Sequence, residues 1–431
     1  MKYYSLKHQS PDVDFREATI SGQAPDGGLY FPRSVNSLNT DFIHNLKHTS
    51  DEAICYEVIR HYVGTCIPDQ VLKDIVAETI DFPIPLTQVN DHIFSLELFH
   101  GPTLAFKDVG ARFMSRCLGY FARSTNREVT VLVATSGDTG GAVASGFAGV
   151  PGVNVVILYP SGKVSKVQEQ QLTTFGGNVK ALEVKGNFDD CQQMVKKAFL
   201  DEALKAKLFL TSANSINVAR WLPQQFYYFL ALKQWREAAP PVICVPSGNF
   251  GNICAGMLAF RSGLPVSHFI AACNANDTVP HFMQTGKYEA RKAVATISNA
   301  MDVGDPSNFI RILELFHDAK PDLHEILTSV SVTDEKTKEV IRQVYQQYQY
   351  LLDPHGAVAY AALDSYHSEN PERKGIILET AHPIKFLDVV EPIIGSNIPV
   401  PESIRHIMDK PRHSTVISNH YEALQQELLQ L

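Results

Sequence analysis

From about residue 127 the chain alternates short, continuous apolar runs with helical stretches. The runs are Val129 to Ala134, Val153 to Tyr159, Val179 to Val184 and Leu208 to Leu210. A run without polar alternation suits a strand covered on both faces, so this pattern predicts an α/β fold of parallel strands with helices above and below. A second group of runs follows at Val242 to Pro246, His268 to Cys273 and Gly375 to Leu378, with helices over Phe226 to Trp235 and residues 334 to 352. Two α/β domains with a cleft between them are expected. The smaller, mobile one spans residues 126–210 and is inserted into a larger one made of 93–125 and 211–431. Residues 1–92 mix short helical patterns with turns such as Pro25-Asp-Gly-Gly28 and are expected to form an N-terminal accessory region. Clefts at the carboxyl ends of strands are where such folds bind ligands.

With 431 residues, 45% of them hydrophobic and 19% charged, the chain has the composition of an ordinary globular enzyme. Its formal charge of -8 argues against a general affinity for nucleic acid or for an anionic membrane, both of which need clustered Lys and Arg. No apolar run approaches the roughly 18 residues of a membrane span, and the first ten residues carry no apolar signal core. Seven cysteines without a Cys-x-x-Cys pair suit packing in a reducing compartment. A cytoplasmic protein acting on a small molecule, as a monomer or homodimer, is the expectation.

The chemistry gathers in a few segments. Lys107 ends Leu96-Glu-Leu-Phe-His-Gly-Pro-Thr-Leu-Ala-Phe-Lys107, where a Gly-Pro turn and an apolar wall lead into a helix start. Val109, Phe113, Met114, Cys117, Leu118 and Phe121 keep helical spacing, so the lysine heads a helix with a buried face. Desolvation there makes the neutral amine accessible for Schiff-base chemistry. A snorkelling surface lysine is the plainer reading.

Residues 242 to 257 read as strand, glycine loop, then helix. Gly248 and Gly251, with Asn249, Phe250 and Asn252, would let backbone amides approach an anion, unless the loop is only a tight turn. It matches neither the P-loop nor Gly-x-Gly-x-x-Gly, which favours a small terminal phosphate over a nucleotide. Ser136, Gly137, Asp138 and Thr139 lie between a strand and a helix and suit either a carboxylate or a capping turn. Asn214, Ser215 and Arg220, with Asn217 between them, suit a second phosphate or a capping cluster with a solvated arginine. Lys163 could add charge there or lie on the surface. His44 and His48 have i, i+4 spacing but no Glu between them and read as an exposed helix face, so no metal is expected. His355 and His382 fall in turn-like contexts bordering the cleft.

Together with Ala24-Pro-Asp-Gly-Gly-Leu-Tyr-Phe-Pro32, Asn276-Asp-Thr-Val-Pro280, Ser298-Asn-Ala-Met-Asp302 and Glu379-Thr-Ala-His-Pro383, these segments resemble the threonine synthase family over nearly the whole chain. The resemblance implies fold type II, the architecture of the tryptophan synthase β chain, with pyridoxal 5'-phosphate as cofactor. It implies that Lys107 forms the Schiff base and then moves protons, that Gly248 to Asn252 hold the cofactor phosphate, and that Thr380 faces the pyridine nitrogen. Ser136 to Thr139 would grip the substrate carboxylate, and Asn214, Ser215 and Arg220 the substrate phosphate. The implied reaction is the last step of threonine biosynthesis, from O-phospho-L-homoserine and water to L-threonine and phosphate. A related phospholyase, a Ser/Thr dehydratase, or a non-catalytic regulatory protein with a vestigial site are the alternatives. Shorter family members carry Asn where this chain has Asp138, as longer members do. Because a carboxylate would repel the cofactor's phenolate oxygen, Asp138 is expected either to turn away or to be protonated.

Overall fold

The computed structural model describes residues 1–125 and 128–431, and it contains two sheets that together carry the site. The larger has six strands in the order Leu327–Ser331, His268–Cys273, Val242–Pro246, Gly375–Glu379, Ile93–Glu97 and Leu86–Gln88. All its pairings are parallel except the last, between Ile93–Glu97 and Leu86–Gln88. The smaller sheet is parallel throughout, in the order Ser414–Ser418, Val179–Lys185, Val153–Pro160, Val129–Ala134 and Leu210–Thr211. Val129–Ala134, Val242–Pro246 and Gly375–Glu379 are buried at every position, which is why their sequences are apolar without alternation.

The helix Lys107–Thr125 follows the strand Ile93–Glu97 of the larger sheet and precedes Val129–Ala134 of the smaller. Val109, Phe113, Met114, Cys117, Leu118 and Phe121 are all buried along its inner face. Each contributes roughly 1.5–3 kcal/mol if fully buried, so the helix start is held by its own packing and not by whatever Lys107 binds. The N-terminal region adds to that support. Phe15 sits edge-on to Phe113 and Phe121, with ring centroids 6.5 and 6.3 Å away.

Four features differ from the sequence expectation. The strand expected at Leu208 to Leu210 is Leu210–Thr211, because the Leu208 amide is already bonded to the Leu204 carbonyl at the end of a short helix. The helix expected to reach residue 352 ends at Tyr348, where Gln349 turns left-handed and Asp353 caps the next helix, Pro354–Glu369. Leu86–Gln88, expected in the accessory region, is an edge strand of the larger sheet. Finally, Ser414–Ser418 pairs with Val179–Lys185, and Leu424 and Leu428 of the following helix fill that sheet's outer core, so the C-terminal residues complete the smaller unit. The expected domain boundary at residue 126 lies outside the described residues. Among the described residues no helix is long and apolar enough to cross a membrane.

Candidate active site

The turn before Lys107 is fixed by its own helix. Asp108 accepts from the Thr103 amide at 2.9 Å and from the Thr103 hydroxyl at 2.5 Å, and a Cβ on Gly101 would fall 2.5 Å from the same carboxylate. Leu104 takes a left-handed backbone (φ 56°), a conformation costing a branched residue about 1–3 kcal/mol. Surrounding bonds hold it there. The Phe106 amide donates to Thr380 O at 2.9 Å, the His382 amide to Leu104 O at 3.0 Å, and the Tyr227 hydroxyl to Phe106 O. Thr380, at the end of the strand Gly375–Glu379, is thereby bonded to the residue next to Lys107.

The Lys107 side chain is only 18% exposed, and its ammonium lies 5.0 Å from the centre of the Phe106 ring. Burial lowers its pKa below the usual lysine value; Lys385 and Arg220 push the same way, against Asp138 and Asp353.

Asp138 is held by partners of its own. Its Oδ2 is 3.7 Å from Lys107 Nζ, its Oδ1 is 2.7 Å from Lys385 Nζ, and Gln168 Nε2 donates to Oδ1 at 3.0 Å. Burial alone would raise its pKa. The two ammonium groups and the hydrogen bonds outweigh that and hold the carboxyl well below the usual carboxylate range. Lys385 itself is buried and also donates to Thr103 O at 2.8 Å, the carbonyl that accepts from Gln171 Nε2 at 3.0 Å.

Two groups of donors are suited to anions. In the glycine loop, a Cβ on Gly248 would lie 2.6 Å from Met301 Cα, so the backbone passes where no side chain fits. Phe250 is left-handed (φ 61°) and leaves the helix Gly251–Arg261 without a side-chain cap. Asn252 is buried, accepts from Tyr228 OH at 2.9 Å, and among the described residues has no partner for its own Nδ2. A phosphate fits this chemistry, with the orphaned amide and the uncapped first turn as donors.

The second group is Asn214, Ser215 and Arg220. Arg220 is buried and donates one terminal NH to Ala213 O; among the described residues its Nε has no partner and no carboxylate lies within ion-pair distance. Burial lowers its pKa to about 10. An uncompensated buried guanidinium is costly, and an anion would supply the missing charge. The two groups touch: Asn249 Nδ2 donates to Ser215 Oγ at 2.8 Å, and Asn308 Nδ2 reaches the same oxygen at 3.2 Å. Asn217 stands apart as a structural cap, bonded to the Ala219 amide and the Thr19 carbonyl.

Between Val129–Ala134 and the helix Asp138–Phe147, the capping role falls to Thr135, whose Oγ1 accepts from the Gly137 and Gly140 amides. Ser136 and Thr139 stay partly exposed. Gly137, at φ 139°, is pressed against Gln168, where a Cβ would lie 2.4 Å from its amide carbon. Lys163 is exposed in the turn after Val153–Pro160, and among the described residues its ammonium makes no ion pair with the site. His44 and His48 are exposed as well.

Sequence reasoning missed Lys385, Gln168 and Gln171. A signal for Lys385 was present: flanked by Ile384 and Phe386, it repeats the apolar framing that singled out Lys107. The glutamines carried no such signal, since Glu169-Gln-Gln171 reads as a solvated helix face.

His355 is buried against Asp353, Nδ1 to Oδ1 2.5 Å, and its Nε2 accepts from the Ala300 amide. His382 caps the turn that carries Lys385, its Nδ1 accepting from the Ile384 amide at 3.1 Å. Burial first, then His100, pushes its pKa down to about 4. An unfolded histidine takes its proton near pH 6.5, so between that value and about 4 the unfolded chain binds the proton that the folded one refuses. His382 therefore stabilises fully above pH ~6.5, and the contribution, up to about 3 kcal/mol, is lost as pH falls through ~4. Urea unfolding followed across that window is expected to show wild type losing more stability than His382→Asn, which keeps a capping acceptor but cannot titrate. Parallel pH profiles would refute the assignment.

Comparison with known proteins gives one picture. Residues 82–378 match the family described as pyridoxal-phosphate dependent enzyme, residues 2–80 the threonine synthase N terminus, and residues 356–427 the threonine synthase C-terminal region. A threonine synthase of Serratia marcescens is 43% identical, with all of both chains covered. The crystal structure of threonine synthase from Escherichia coli superposes over the full length of both chains with a TM-score of 0.92 at 42% identity. A threonine synthase from Brucella melitensis with pyridoxal phosphate bound superposes with a TM-score of 0.93 at 34% identity, covering 99% of this chain and 98% of that one.

Proposed function

The chain belongs to the threonine synthase family of pyridoxal-phosphate-dependent enzymes, and we propose that it converts O-phospho-L-homoserine and water to L-threonine and phosphate at Lys107. The supporting observations are one desolvated amine and two anion-receptive groups, the Gly248–Asn252 loop and Arg220, which is buried with no carboxylate at ion-pair distance among the described residues. One suits the cofactor's phosphate. The other suits a substrate that brings a phosphate of its own, for which a plain Ser/Thr dehydratase has no need.

Lys107 Nζ would hold the cofactor's aldehyde carbon, the amides of Gly248, Asn249, Phe250 and Gly251 with Asn252 Nδ2 would hold its phosphate, and the Thr380 hydroxyl would be a neutral partner for its pyridine nitrogen. Bound there, the cofactor supplies an electron sink that makes the hydrogens beside the substrate nitrogen acidic. The chain's own groups do the rest. Ser136 and Thr139 bind the substrate carboxylate at the start of the helix Asp138–Phe147, where the helix dipole favours an anion. Asp138, already neutralised by Lys385, does not oppose it. Lys107, as a neutral amine, would remove the proton at Cα, pass that proton on to become neutral again, and then remove one at Cβ. Asn214, Ser215 and Arg220 hold the phosphate as the Cγ–O bond breaks, and the guanidinium stabilises the charge that collects on the leaving oxygen. A proton then goes to Cγ and water adds at Cβ, so the phosphate leaves with its own oxygens and the new hydroxyl comes from solvent. All seven cysteines are free, which suits a reducing compartment, and we place the reaction in the cytoplasm.

The test is the fate of O-phospho-L-homoserine. Equal amounts of phosphate and threonine are expected, whereas phosphate accompanied by 2-oxobutyrate would mark a phospholyase.

A further inference from the structure

A carboxylate beside a reactive amine is a liability, because an ion pair keeps the amine charged and unable to attack a carbonyl. Asp138 stands in that position, yet its nearer partner is another cation. Lys385 Nζ lies 2.7 Å from Asp138 Oδ1, against 3.7 Å from Lys107 Nζ to Oδ2. The Lys385 side chain is wholly buried, and its hold on Thr103 O fixes it beneath the turn that delivers Lys107. Gln168 adds a neutral donor to the same carboxylate oxygen.

We propose that Lys385 is a positioning residue for Lys107: it takes up the charge of Asp138, leaving Lys107 as the surplus cation that gives up its proton. The inference rests on the reading of Lys107 as the amine that takes the cofactor. Lys385 and Asp138 cancel as a pair, while Lys107 is left in a desolvated site that also holds Arg220. The direction of the Lys107 shift agrees with that arrangement. The charged groups facing Lys107 are Asp138, Lys385, Arg220 and Asp353, with the Phe106 ring beside it; Lys385 also acts on Asp108 and His382. Without Lys385, the carboxylate has Lys107 as its cation, and the amine stays protonated to higher pH.

The chain stripped of cofactor provides the test, through the pH dependence of the rate at which pyridoxal phosphate attaches to Lys107, trapped with borohydride and located by peptide mass. In Lys385→Met the midpoint is expected to rise by about one to two pH units, the usual effect of an opposite charge at this range. In Lys385→Met/Asp138→Asn, where the carboxylate is also gone, it is expected at or below the wild-type value, and Lys385→Arg should stay near wild type. Loss of a merely structural anchor on Thr103 would affect the single and double variants alike. A single variant with the wild-type midpoint, or single and double variants shifted together, would overturn the proposal. If the single variant does not fold, the double variant decides, and a midpoint above wild type counts against it. Absence of label on Lys107 in the wild-type chain would instead overturn the proposed function, and this inference with it.

Discussion

Lys107→Ala is expected to abolish turnover, by at least about 10³-fold, and to remove the yellow colour that borohydride bleaches in the wild type. The fold should survive, because the helix Lys107–Thr125 is anchored by Phe113, Met114, Leu118 and Phe121 and not by its first side chain. Removing the ammonium also leaves Asp138 paired with Lys385, so no buried charge is stranded. The phosphate-receptive loop around Gly248 is untouched. The variant should therefore still bind pyridoxal phosphate, reversibly and without the lysine-linked absorbance, which equilibrium dialysis and visible spectra would measure together. A variant that keeps both the colour and the activity would mean that another amine does the work.

Arg220→Met should separate substrate from cofactor. Truncating one member of a buried charge pair costs about 2–5 kcal/mol, which corresponds to roughly thirty- to four-thousand-fold in substrate affinity. Cofactor affinity should change little, because the loop donors Asn252 and Gly248 belong to a different element. Methionine keeps volume against Gly110 and Ala213 while removing a guanidinium that has no carboxylate partner at ion-pair distance among the described residues. The unliganded variant should thus be at least as stable as wild type, since uncompensated buried charge disfavours folding. Measured KM for O-phospho-L-homoserine, cofactor affinity and urea midpoint give three readouts. Equal losses of substrate and cofactor would show that the assignment of the two anion groups is wrong.

Much of the scaffold was legible because both faces of its strands are covered. Val129–Ala134, Val153–Pro160, Val242–Pro246 and Gly375–Glu379 are apolar but for Thr130, Asn154 and Glu379 and stand out against helical segments. Edge strands were not legible for the opposite reason. Ser414–Ser418 has only Ile417 buried, and Leu327–Ser331 alternates weakly, so neither carries a strong local pattern. The lysine and the two phosphate-suited loops could be read from residue type and spacing, because a glycine loop before a helix has a local chemistry. The state of Asp138 could not. Its charge is decided by Lys385, which follows the interior strand Gly375–Glu379 far along the chain from Asp138, and by Gln168 from a helix whose polar sequence looks solvated. Burial and partner choice are properties of the assembled fold, and these two residues acquire their meaning only there.

The most direct test of the central claim is to run the conversion of O-phospho-L-homoserine in heavy-oxygen water and weigh both products. Elimination at Cγ followed by hydration at Cβ predicts the heavy oxygen in the threonine hydroxyl and none in the phosphate released. Heavy oxygen in the phosphate, or 2-oxobutyrate in place of threonine, would contradict it.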